Sequence, residues 1–518
     1  MRWLVWIAVL AAACGEDLGP NDVEVETGVV RGADDGAGVK SWLGIPYAAP
    51  PVGELRWKRP KPAASWDGVR DGTKVGQKCP QNTVITSGGG IEDCLSLNVW
   101  APSANTGKLP VMVWIHGGGF VFGSGGDPFY SGAELARTRG VVVVTINYRL
   151  GGLGFLTHPG LAAEDPDHTS GNYGLRDQLL ALEWVQRNIE DFGGDPAHVT
   201  LFGESAGGWS TCLHYTDMKT AGLFERAIIE SGACVNRGLA QTKAVADADG
   251  LAFAAKVGCP GSDAGSVACM RELIDYAVLD ATALPPIMMQ KPGGFFYDAY
   301  PPNTLPHIDG VFITEDLEER LASGNYPDRP VLLGSNKDEG TLFHSSILSN
   351  PVRDEQQYRD ALMRRFNDSN VVDQIIALYP AGTDPNQALA AISGDVFFTC
   401  PARRNARALK TAGASVYRYV FQRALEQASF PELQAFHSAE IPFVFGGDVY
   451  PLGKVGSATS LADAMQSAWT TFAKTGDPGG SWPAYEVASD PYQVLDVPVS
   501  QGAGYRATFC DFWDTVPR

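Results

Sequence analysis

The sequence predicts an α/β fold, with a central, mostly parallel sheet flanked by helices, and three observations carry that prediction. Apolar, β-branched runs at 111–115 and 141–146 are bounded by turn residues, as strands buried on both faces are. Leu175, Leu179, Leu182, Val185 and Ile189 then recur at helical spacing, and Phe192, Gly193, Gly194, Asp195 and Pro196 break that helix. A further strand signal at 199–202 runs directly into the turn Gly203-Glu204-Ser205-Ala206-Gly207. Alternating strands and helices pair in parallel, and such sheets gather their ligand sites at the carboxyl ends of the strands.

At the start of the chain, Arg2 precedes an apolar run from Trp3 to Ala13, too short to span a bilayer but right for the core of a signal peptide. Residues 1–13 therefore read as a signal peptide and the protein as exported. Cleavage falls either after the small residues Ala11, Ala12 and Ala13, or before a Cys14 that becomes a lipidated N-terminus. Leu10 stands one place further from the cysteine than a lipobox usually has it, yet Cys14 followed by the polar Gly15, Glu16 and Asp17 favours lipidation. Residues 14–22 then form a polar tether, and 23–518 one domain with long loop insertions, uninterrupted by a Ser/Gly linker or repeat. The expected location is a periplasmic or cell-surface lipoprotein, or the medium. Downstream, strand signals follow at 227–229, 331–333 and 416–421, and a late helix spans roughly 461–474.

The 518 residues are 44% hydrophobic and 19% charged, a composition that supports one large packed core. A net charge of -19, with no Lys/Arg cluster, argues against a nucleic-acid partner and for a self-repelling, soluble surface. Nine cysteines in an exported chain suggest disulfides, and setting Cys14 aside leaves eight. Proximity pairs Cys79 with Cys94 and Cys259 with Cys269, and Cys400 with Cys510 would fasten the C-terminal tail. Cys212 and Cys234 remain, as a fourth bridge or as two buried thiols.

The G-x-S-x-G sequence between a strand and a helix is a nucleophile elbow, whose glycines let the backbone turn tightly while Ser205 stays exposed. Serine needs a base to take its proton and an acid to orient that base. In the α/β-hydrolase fold the order is Ser, then Asp or Glu, then His, which removes His116, His158, His168 and His198. His214 lies on the helix leaving the elbow, His307 precedes the next acid loop, and His344 follows that loop too closely. His437 remains. The loop after the 331–333 strand offers two adjacent acids, Asp338 and Glu339, and spacing does not choose between them. Upstream, His116-Gly117-Gly118-Gly119-Phe120 follows a strand, and the N–H groups of Gly118, Gly119 and Ala206 would make an oxyanion hole.

Phe192-Gly193-Gly194, the elbow itself and Glu92-Asp93-Cys94-Leu95 together resemble the type-B carboxylesterase family, the cholinesterase-like branch of the α/β-hydrolases. The resemblance extends to Gly171-Asn172-Tyr173-Gly174-Leu175-Arg176-Asp177-Gln178, to 336–340 and to 437–445. It implies Glu339 as the acid, and bridges Cys79–Cys94 and Cys259–Cys269, with Cys400–Cys510 matching a later pair of the cholinesterases. Two departures stand out. Ser96 replaces the aromatic or Thr that usually continues the Glu-Asp-Cys-Leu motif, and no aromatic lies between Cys79 and Cys94, where cholinesterases hold the choline cation on a Trp. A general esterase is therefore expected rather than a choline-ester specialist.

The expected activity is a serine carboxylic-ester hydrolase, acting through Ser205, His437 and Glu339 and an acyl-enzyme on small or medium esters. No metal or organic cofactor is required. The alternatives are a lipase acting on long acyl chains and a non-catalytic binding protein of the same fold. Phe120, Phe122, Trp209, Phe295, Phe296, Phe343 and Phe398 are the aromatic residues expected to line the substrate pocket.

Overall fold

The computed structural model describes residues 18–516 apart from 83–87, 105–106, 233, 235–240, 284–289, 296–301 and 448–449. Cys14 and Phe296 lie outside the described residues. The central sheet is built from β1 (Ala33–Asp34), β2 (Val39–Pro46), β3 (Ser96–Pro102), β4 (Leu109–Ile115), β5 (Val142–Ile146) and β6 (Gly194–Glu204). It continues with β7 (Arg226–Glu230), β8 (Val331–Asn336), β9 (Val416–Phe421), β10 (Pro491–Leu495) and β11 (Ser500–Ala503). Their spatial order is β11-β10-β9-β8-β7-β6-β4-β5-β3-β2-β1. From β10 to β5 every neighbour pairs in parallel, and antiparallel strands close both edges.

The apolar runs of β4 and β5 follow from burial on both faces. Met112, Trp114 and Val143 pack into one core with the C-terminal helices, while Val111, Val113, Ile115, Val142 and Val144 pack into a second core on the opposite face. From β5 the chain crosses back over β4 to reach β6 on its far side, and from there each strand is added outward. That reversal beside β4 leaves a crevice at the carboxyl ends of β4 and β6, where an open α/β sheet places its site.

Helix α1 (Tyr173–Asn188) covers one face of the sheet, and α2 (Ala206–Thr216) leaves β6 directly. The sequence signals overlap these elements, with Val141 just before β5 and Ile189 just past α1, and understate the lengths of β6 and β8. They miss the antiparallel edges and a run of helices at Glu355–Phe366, Ser369–Leu378 and Pro385–Gly394. Each of those helices begins at an aspartate, Asp354, Asp368 or Asp384, whose carboxylate accepts N–H groups of the first turn at 2.8–3.3 Å. The capping aspartates were the readable signal.

Four disulfides join Cys79–Cys94, Cys212–Cys234, Cys259–Cys269 and Cys400–Cys510, with Cα–Cα spans of 5.0, 5.4, 5.6 and 4.9 Å. Such a set belongs to an oxidising, extracytoplasmic compartment.

Candidate active site

Ser205 sits between β6 and α2 with φ 56° and ψ -122°, a strained backbone for a residue bearing a side chain. Its N–H donates to the Glu230 carbonyl at 2.9 Å, pinning the turn to the end of β7. Gly207 is required here, because a Cβ at that position would lie 1.9 Å from the Ile115 carbonyl oxygen. Glycine thus lets α2 start against the end of β4, with its free N-terminal N–H groups at the crevice.

His437 lies in the loop after β9, and its Nδ1 is 2.6 Å from Glu339 Oε2. The other Glu339 oxygen accepts the Asn336 N–H at 2.7 Å, so the carboxylate is buried and oriented from both sides. Asp338 points elsewhere: its carboxylate accepts the Ala435 N–H at 3.2 Å, bracing the segment that carries His437. The rings of Phe343 and Phe398 pack on the imidazole at 4.9 and 4.6 Å. His437 Nε2 lies 3.2 Å from Glu204 Oε1, beside Ser205, and Ser438 Oγ donates to the same oxygen at 2.9 Å.

The other histidines after the elbow are engaged elsewhere. His214 Nε2 pairs with Gln178 at 3.0 Å, His344 Nε2 with Ser393 at 2.7 Å, and buried His307 accompanies Asp309. His116 is buried and stacked on Tyr148 at 4.5 Å, and that burial lowers its pKa to about 4. Its glycine loop turns through φ +100° at Gly118 and +60° at Gly119, conformations suited to glycine.

Gly117, Gly118, Gly119, Ser205, Ala206 and His437 open together onto one gorge. Phe120, Phe122, Trp209, Phe343 and Phe398 line it. Phe295 does not; it is buried in the core against His344, Phe366 and Phe397, because its segment packs beneath the wall rather than in it. Sequence reading missed Phe129, Tyr130, Leu305, Phe397 and Tyr450, which distant segments bring to the same wall. Among the lining residues the acidic side chains are Asp127 and Glu204, and there is no lysine or arginine.

Three further buried glutamates surround the site: Glu204 in the gorge lining, and Glu230 and Glu440 outside it. Burial raises the pKa of Glu204, and the nearby Glu339 and Glu230 raise it further against the Ser438 hydrogen bond. Burial likewise raises that of Glu440, whose Oε2 receives the Asn336 amide, and that of Glu230 to about 8 despite an indole N–H donated by Trp469 at 2.8 Å. A carboxyl with a raised folded pKa contributes stability that is fully present below its unfolded pKa, near 4.5, and lost as pH rises through about 8. Glu230→Gln should therefore flatten the fall of Tm between about pH 5 and 8. Thermal melts of both proteins across that window check this, and parallel profiles would remove Glu230 as a contributor.

The family model described as "Carboxylesterase family" matches residues 19–513. The chain is 38% identical over 482 residues to a fumonisin B1 esterase from Sphingopyxis macrogoltabida, covering 89% of this chain and 84% of that protein. It is 37% identical to a para-nitrobenzyl esterase from Bacillus subtilis (strain 168), covering 92% and 94%, and 33% identical to an acetylcholinesterase from Bungarus fasciatus, covering 98% and 88%. A solved para-nitrobenzyl esterase structure superposes with a TM-score of 0.82 at 35% identity, over 96% of this chain and 100% of the other. With an α/β-hydrolase sheet and that similarity along nearly its whole length, this chain belongs to the carboxylesterase family and is a carboxylic-ester hydrolase.

Proposed function

We propose that the protein hydrolyses neutral, small or medium carboxylic esters with Ser205 as nucleophile, His437 as base and Glu339 as orienting acid. The observation that carries this reading is the 2.6 Å Glu339–His437 contact beside a strained serine at the head of an apolar gorge. His437 takes the Ser205 proton as the hydroxyl oxygen attacks the ester carbonyl. The N–H groups of Gly118, Gly119 and Ala206 receive the oxyanion. His437 then returns the proton to the departing alcohol, and water activated by the same imidazole releases the acid. Glu339 fixes the imidazole tautomer and stabilises its protonated form.

The gorge walls name the substrate more closely. They are largely aromatic and aliphatic and carry no lysine or arginine among the described lining residues, so an ester bearing an anionic group gains no fixed counter-charge there. A panel of p-nitrophenyl esters, with acyl chains from two to eight carbons and one carboxylate-bearing acyl group, tests this. Neutral esters should turn over, and in a separate reaction a serine-directed phosphonate should label Ser205. Preference for the anionic ester would overturn the substrate assignment, and absence of labelling would overturn the nucleophile.

Trp209 stands one helical turn after Ser205 on the same side of α2, and its ring packs against Phe120 at 5.9 Å. It therefore limits the space nearest the reacting carbonyl. Trp209→Leu should raise the octanoate-to-acetate ratio of kcat/KM by about tenfold, within the range that a few methylenes contribute in an apolar pocket. A ratio unchanged in steady-state assays would place the limit elsewhere.

A further inference from the structure

The chemistry proposed above leaves the Cys212–Cys234 bridge without a role, yet the bridge stands against the wall of the gorge. Cys212 is on α2, three residues past Trp209. Cys234 follows Ser231 and Gly232, which line the gorge just beyond β7. Both cysteines are buried, so the bridge lies inside the protein.

Between these two points α2 and the segment after β7 touch backbone to backbone. A Cβ on Gly232 would lie 2.5 Å from the Ser205 carbonyl oxygen and 2.7 Å from the Gly208 backbone. A Cβ on Gly208 would lie 2.7 Å from the Glu230 carbonyl oxygen. Glycine facing glycine permits the approach but offers no side chain to lock it. The bridge supplies the lock one helical turn beyond Gly208. On its other side, the Cys234 carbonyl accepts a 3.0 Å hydrogen bond from Asn405 Nδ2. Asn405 belongs to the helix Cys400–Thr411, which follows directly on the gorge residues Phe397 and Phe398.

Which part of the substrate meets this wall follows from the reaction. His437 must reach the departing alcohol to return its proton, so the alcohol lies on the His437 side. The acyl chain then lies toward Trp209, Ser231 and Gly232. We infer that the Cys212–Cys234 bridge is a positioning device that holds Ser231 and Gly232 against α2 and thereby sets the length of acyl chain the gorge accepts, with Asn405 as a second tether. The inference rests on the ester hydrolysis proposed above. Without the bridge the segment retreats from α2 and a longer chain fits, while Ser205, His437 and Glu339 keep their places.

The test uses the full-length protein, its Cys212→Ala/Cys234→Ala double variant and Asn405→Ala, assayed on p-nitrophenyl acetate through octanoate. Turnover by the unaltered protein decides the ester-hydrolase reading separately, because its absence would defeat that reading whatever the variants do. In the double variant the octanoate-to-acetate ratio of kcat/KM should rise about threefold or more through a lower KM for octanoate, with kcat on acetate within about twofold. Asn405→Ala should move the ratio in the same direction. An unchanged ratio with only a lower Tm makes the bridge a stabiliser and overturns the inference. If the double variant fails to fold, Asn405→Ala decides: a raised ratio supports the tethered wall, and an unchanged ratio overturns it.

Discussion

Ser205→Ala should lower ester turnover by roughly 10⁴ to 10⁶ while leaving the fold in place. The size follows from what the residue does in the proposed reaction. Its hydroxyl supplies the atom that becomes the acyl-enzyme oxygen, and no neighbouring group replaces it. The remaining acceleration would come from the oxyanion donors and the apolar gorge alone. Retention of the fold follows from the turn itself, since the constraints on the elbow are backbone ones: the Ser205 N–H bonded to Glu230 and the crowding of Gly207 against Ile115. Alanine keeps both and still meets φ 56°, so its strain resembles that of serine. The checks are single-turnover kinetics on p-nitrophenyl acetate and a thermal melt. Turnover within tenfold of the unaltered protein would remove Ser205 from the reaction.

The elbow was legible because its information is local: a strand signal, two glycines around a serine, and a helix to follow. The core strands were legible for the same reason, since burial on both faces writes continuous apolar runs at 111–115, 141–146 and 416–421. The wall of the gorge was not. Phe295 and Phe398 are both aromatic residues within apolar or mixed segments, yet Phe398 packs on His437 and Phe295 lies in the core beneath. What separates them is the direction of each side chain in a packed layer, and neither composition nor spacing records that direction. Glu204 was read only as the variable residue of the elbow. Its contact with His437 joins residues more than two hundred positions apart in the chain, visible only once β6 and the loop after β9 share one end of the sheet.

The choice between Asp338 and Glu339 has the same character, and it yields the second large effect. Glu339→Gln should lower kcat by about 10² to 10⁴, whereas Asp338→Asn should change it by less than about fivefold. Glutamine preserves the shape and one acceptor oxygen, but it carries no charge to stabilise the imidazolium that forms as Ser205 attacks. Its amide can also face His437 Nδ1 donor to donor, favouring the wrong tautomer. Asp338 touches the site only through the backbone, accepting the Ala435 N–H two residues before His437. Asparagine can still accept that bond through its carbonyl oxygen, so the loop should hold. Comparing kcat for the two variants on one ester, with circular dichroism to show both are folded, checks the assignment. A larger loss in Asp338→Asn would move the acid by one residue. Equal small losses would instead point to Glu204, the other carboxyl in reach of the imidazole, on the Nε2 side rather than the Nδ1 side.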